Sequence, residues 1–176
     1  MEYQNQVIEN LLQNFKEDIG PDYDTYKNHV QRVFWNCVLM EDDKSNEEKY
    51  AIASVFHDIG IWTNHTFDYL QPSIEQACIH LTKIGRQDWI EEITLMISYH
   101  HKISRYRGKH ESIVENFRRA DWIDISSGLL NFGFDKRKIK EVKRKLPILG
   151  FHFFLVKLTI KNFFKHPFNP LPMFKR

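Results

Sequence analysis

His57 and Asp58 stand side by side at the end of Tyr50–Asp58, the most apolar helical run in the chain, and His100 and His101 form a second adjacent pair. Imidazole nitrogen and carboxylate oxygen are the donors that divalent Fe, Mn, Co, Ni and Zn accept. With successive residues placed about 100° apart, a helix over 87–101 puts Trp89, Ile90, Ile93, Met96 and Ile97 on one face. His100 falls in the middle of that face and His101 at its edge. A helix from Ser112 groups Ile113, Val114, Phe117 and Ala120, and Asp121 and Asp124 share their face. Buried imidazoles left without partners cost roughly 1–3 kcal/mol each, and buried carboxylates need cations or a metal.

A single inward histidine is most often a hydrogen-bonded core residue, and a single inward aspartate a cap or ion-pair partner. That explanation has to be repeated independently for His29, His57, Asp58, His80, His100, His101 and Asp121. A bound metal accounts for all of them with one cause.

The order H…HD…H…HH…D, with HDIG at 57–60 and NHVQRV at 28–33, resembles the HD-domain superfamily of metal-dependent phosphohydrolases over roughly residues 20–126. The resemblance implies a helical bundle with two divalent transition metals, Fe or Mn first, then Zn, Co or Ni. His29, His57, Asp58 and Asp121 would hold one metal, and Asp58 would bridge to another held by His80, His100 and His101. It implies hydrolysis of a small, nucleotide-like phosphate ester by metal-bound hydroxide. The mixed-valence di-iron oxygenases of the superfamily are similar too, but typically carry one histidine where this chain has the His100–His101 pair. A non-catalytic metal or nucleotide sensor is the alternative outside enzymology. The segment KISRYRGKH lacks the GYP triplet of the cyclic-di-GMP phosphodiesterases, and Thr25 replaces the acid that supports a third metal in some relatives.

Beside the ligands, Asp58, His65 and Lys102 are the candidate catalytic groups, with His65 placed to give a proton to a leaving group. Lys102, Arg105 and Arg107 directly follow the histidine pair and are expected to grip phosphate. Asp124 is expected to orient a histidine ligand, or to be a ligand itself should the helix sit one turn differently. Arg118 and Arg119 read as surface charges, and His110, His152 and His166 match no ligand position.

The elements that must position these groups all read as helices: 3–18, 22–41, 50–58, 73–84, 87–101, 112–125, 135–145 and 149–165. Gly60 opens a loop to about residue 71. Ser73 with Gln76, and Ser112 with Glu115, stand at capping-box spacing, and Pro147 and Gly150 must break the last two helices apart. No alternating strand pattern longer than four residues occurs. The expected fold is an all-α bundle with a metal site between its helices. Its domain would span 1–135, and 136–176 would be a basic, aromatic helical extension packed on it.

Composition agrees with one globular domain: 42% of the 176 residues are hydrophobic and Gly and Pro are few. Cys37 and Cys78 have no CxxC partner and read as buried thiols of a reducing compartment. The opening MEYQNQVIEN lacks a signal pattern, so a cytoplasmic location is expected. The net charge of +2 hides an asymmetry: residues 1–135 hold thirteen Lys/Arg and twenty-two Asp/Glu (−9), whereas 136–176 hold twelve and one (+11). The tail is expected to dock on the acidic body or on its copy in a homodimer. A membrane surface and nucleic acid are the less favoured partners.

Overall fold

In a computed structural model of the chain, residues 3–168 and 171–175 are described, and every regular element among them is helical. The N-terminal run is two helices rather than one, α1 (Gln6–Gln13) and α2 (Lys16–Ile19). Asn5 starts α1 by accepting the Val7 and Ile8 amides, which would otherwise lack partners. Then come α3 (Tyr23–Met40) and α4 (Glu47–Phe56). Every residue of α4 from Tyr50 to Phe56 is buried, as its all-round apolar sequence demands.

Residues 60–71 are not simply a loop. Gly60–Thr63 form a short helix, α5, and α6 already begins at Leu70 and runs to Lys83. Ser73 is therefore inside α6, where it caps nothing; its buried hydroxyl accepts the Gly60 amide at 3.0 Å. Gly60 is required by closeness of approach. A Cβ there would meet the Tyr69 carbonyl oxygen at 2.5 Å and Pro72 Cβ at 2.9 Å. This contact, rather than a cap, sets where α6 starts.

Two more helices complete the body, α7 (Ile90–Tyr99) and α8 (Glu111–Ile125). The expected Ser112–Glu115 cap does not form, because α8 opens directly after His110, whose φ is 57°. Glu115 instead accepts the Tyr106 amide at 2.8 Å and pairs with Arg118 and Arg119. Arg118 is buried, contrary to the surface position expected for it. The loop after His101 folds back over this side of α8, and Arg118 Nη1 donates to the Lys102 carbonyl.

The tail forms α9 (Lys136–Lys145) and α10 (Phe151–Lys165), separated at Pro147–Gly150. Residues 169–170 and 176 of the expected extension lie outside the described residues. Ile139, Val142 and Leu146 are buried beside α3, and Phe151 is fully buried. The linker is tied down by hydrogen bonds from Thr25 to the Leu149 carbonyl, from Asn28 to that of Pro147, and from Arg32 to those of Leu146 and Pro147. Residues 136–154 are thus built into the bundle. Among the described residues, no helix is long and apolar enough to cross a membrane.

Candidate metal centre

Four helices aim polar side chains at one buried point. α3 supplies His29, the end of α4 supplies His57 and Asp58, the end of α7 supplies His100 and His101, and α8 supplies Asp121. His29, His57, Asp58, His100 and Asp121 are all at most 3% exposed. Asp58 Oδ2 is 3.7 Å from His29 Nε2 and 3.4 Å from His57 Nε2, while Asp58 Oδ1 is 3.4 Å from His100 Nε2. Asp121 Oδ1 is 3.7 Å from both His29 Nε2 and His57 Nε2, and its Oδ2 is 3.8 Å from His101 Nδ1. Two groups result that can hold a metal ion, His29–His57–Asp58 and Asp58–His100–His101, sharing Asp58.

Hydrogen bonding determines which ring nitrogens are free. His57 Nδ1 lies 2.7 Å from the Ser54 carbonyl, and His100 Nδ1 lies 2.7 Å from that of Ile97. A carbonyl only accepts, so both Nδ1 atoms carry hydrogen and both rings turn Nε2 inward, where the neutral form offers a lone pair. His29 Nδ1 donates in the same way to Asp124 Oδ2 at 2.7 Å. His29 Nε2 and His57 Nε2 then face each other at 3.0 Å. Two lone pairs at that distance repel unless a proton or a cation lies within reach of both. Asp58 Oδ1, both Asp121 oxygens, His100 Nε2 and His101 Nδ1 are buried with no hydrogen-bond partner, although buried polar atoms are nearly always satisfied. This donor set fits a divalent metal.

Burial pushes His57 down to about 3, so its ring is neutral and its lone pair available. Burial also pushes His101 well below the ordinary histidine value, with His100 adding to the effect. Burial opposes the charge on Asp58, yet the imidazoles around it hold its carboxyl well below the usual range. Burial likewise opposes the charge on His100, yet Asp58 and Asp121 raise it above the ordinary histidine value. Asp121 is raised to about 7 by burial, with Asp58 and Asp124 adding to the rise. A cation bound between Asp58 and Asp121 would reconcile the two carboxylates.

Asp124 is a support. Besides His29, it takes a two-pronged ion pair from the fully buried Arg32, Nε to Oδ1 at 2.5 Å and Nη2 to Oδ2 at 2.9 Å. Burial works against the Asp124 charge, but Arg32 outweighs it and holds the carboxyl low. The other face of the His29 ring is covered by Phe151 of α10, with centroids 4.0 Å apart and planes 18° from parallel.

None of the other expected site residues belongs to either group that can hold a metal. His80 is half-buried beside Phe56 and belongs to neither group that can hold a metal. The start of α6 is its nearer end: Tyr69, just before it, places its hydroxyl 2.5 Å from His101 Nε2. His80 comes eleven residues later, about 16 Å farther along a helix rising 1.5 Å per residue. Arg105 pairs with Glu111 and lines a different cavity, of about 240 Å³, and Arg107 is exposed. The buried Tyr106 anchors that loop against Glu115 and turns its arginines outward. Lys102 contributes its backbone carbonyl to Arg118 and Trp122. His65 is exposed, with φ 49°, on a cavity of about 490 Å³ between the 61–68 segment and α10 that none of the cluster residues lines.

The sequence alone assigns no role at the site to Tyr69, Arg32 and Phe151. Arg32 carried a signal, a charge three residues after His29 on the same helix face and matched by the inward Asp124. Tyr69 and Phe151 carried none. No protein-family model matches the chain, and neither does any curated protein or solved structure, so the functional reading rests on these side chains themselves.

Proposed function

We propose that this chain is a metal-dependent phosphohydrolase of the HD-domain superfamily, holding two divalent transition metals, Fe or Mn first. The observation that carries the proposal is the convergence of inward-facing imidazole nitrogens on buried carboxylate oxygens that have no hydrogen-bond partner. His29, His57, Asp58 and Asp121 would hold one metal, and Asp58, His100 and His101 the other. When bound, such ions acidify a coordinated water and polarise a phosphoryl oxygen.

The protein's own part is positional. The Arg32–Asp124 pair fixes the ring of His29 and keeps its Nδ1 protonated, so Nε2 keeps its lone pair for a metal. The Ser54 and Ile97 carbonyls do the same for His57 and His100. Phe151 keeps water off one face of His29. Tyr69 orients His101, and its phenol, raised by burial and by the nearby Asp58, keeps its proton at neutral pH and can donate to an anion. The adjacent pair His100–His101, with both rings at the cluster, favours hydrolysis over the oxygenase reading.

The test is elemental analysis of protein purified without chelator, followed by turnover of a generic phosphodiester with added Mn. One to two transition metals per chain and turnover abolished in Asp58→Ala are expected. Metal-free protein without Mn-dependent turnover would reject the reading. Dioxygen-dependent loss of a phosphonate would move it to the oxygenase, and metal binding without turnover to the sensor.

A further inference from the structure

Helix α10 is apolar on two sides, and the domain covers only one of them. Phe154 stacks on Trp62, with centroids 5.4 Å apart, and Leu155 and Leu158 pack on the core beside it. The opposite side carries Phe153, Val156, Ile160, Phe163 and Phe164, which at helical spacing form one continuous stripe. Phe153 is 75% exposed and Phe164 79%, and Phe168 just beyond the helix is fully exposed. Single exposed apolar residues are ordinary, but a contiguous stripe of five large ones along about three turns marks a surface that something else covers.

The charges beside the stripe say what that is. Lys157, exposed, stands at one edge of it, whereas Lys161 and Lys165, also exposed, turn toward the cavity beside Phe154 and Leu158. The Lys157 stem can lie along apolar surface while its ammonium group stays in the polar layer. The preceding helix α9 adds Lys136, Arg137, Lys138, Lys140, Arg144 and Lys145, all exposed, against the single acid Glu141. The whole segment 136–176 carries +11. A second copy of this chain would bring like charge against like charge if the two stripes met face to face. A bilayer surface with anionic headgroups matches both the phenylalanines and the lysines.

We propose that the outer face of α10, from Phe153 to Phe164 with Lys157 at its edge, docks the protein in the plane of an anionic lipid surface. The inner face meanwhile stays packed on the domain, so docking needs no unfolding. This inference does not depend on the metal reading.

Co-sedimentation of the full chain with phosphatidylcholine vesicles, with and without phosphatidylglycerol, is the test. Binding to the anionic vesicles only is expected, weakening as added salt shortens the Debye length from about 10 Å at 0.1 M. Phe153→Ser and Phe164→Ser should each weaken it by on the order of tenfold without lowering the melting temperature, since neither side chain packs on the domain. Lys157→Glu should weaken it too, and serves where the serine variants misfold. Three results would overturn the proposal: folded wild-type protein that ignores anionic vesicles, equal binding to neutral ones, or preference for a polynucleotide. A concentration-dependent dimer lost in Phe153→Ser would also overturn it, by assigning the stripe to a second copy.

Discussion

Phe151 of the basic tail lies flat on His29 of the buried cluster, 4.0 Å between centroids and 18° from parallel. A residue 122 positions later in the chain thus forms one wall of the site. Deleting 149–176 would remove this wall along with the carbonyl of Leu149 that Thr25 bonds. Phe151→Ala should cost about 3–5 kcal/mol of stability, as truncation of a fully buried phenylalanine does. Metal retained after dialysis should fall with it. Phe153→Ala, on the exposed side of the same helix, should change the melting temperature little. Equal melting temperatures for the two variants would show that the tail does not hold this site closed.

Asp124 tests whether the histidine rings are actively oriented. In Asp124→Asn the carboxylate charge opposite the buried Arg32 is lost, and an uncompensated buried cation costs about 3–5 kcal/mol. The acceptor for His29 Nδ1–H weakens as well, so metal affinity should drop by roughly 10–100-fold. Competition with a chelator of known affinity measures that drop. Arg32→Lys keeps the charge but loses the two-pronged geometry, and should lie between wild type and Asp124→Asn. Unchanged affinity in both variants would remove Asp124 from the site.

The buried Glu115 network predicts how acid acts on stability. Burial opposes the charge on Glu115, but Arg118, the Tyr106 amide and Arg119 together hold its carboxyl below the ordinary glutamate value. Its folded value is depressed, so the unfolded chain takes up protons first as pH falls. The contribution is therefore full above the ordinary glutamate pKa and is lost as pH drops through the folded value. Glu115→Gln should lower neutral stability by about 3 kcal/mol, because Arg118 is left buried without its partner. The variant should also lose part of the wild-type acid dependence below about pH 4. Denaturant melts at neutral and acid pH check both, and parallel losses in the two proteins would exclude Glu115 as a contributor.

The amino-acid sequence on its own determined the helical class, because the 3.6-residue spacing of apolar side chains is local and repeats in every segment. The same periodicity turned His100, Asp121 and Asp124 inward, where all three are buried. The asymmetry of charge between body and tail was equally legible. Only the tertiary structure decided which turn of α6 meets the cluster. The close approach of Gly60 to Tyr69 and Ser73 starts that helix early, so Tyr69 reaches His101 and His80 lies far along the axis. Packing likewise buried Arg118 under a returning loop and turned Arg105 toward Glu111. It laid Phe151 on His29 and left the opposite side of α10 bare. Periodicity says which side of a helix is apolar; how far the helix slides, and what covers each side, depends on contacts between residues distant in sequence.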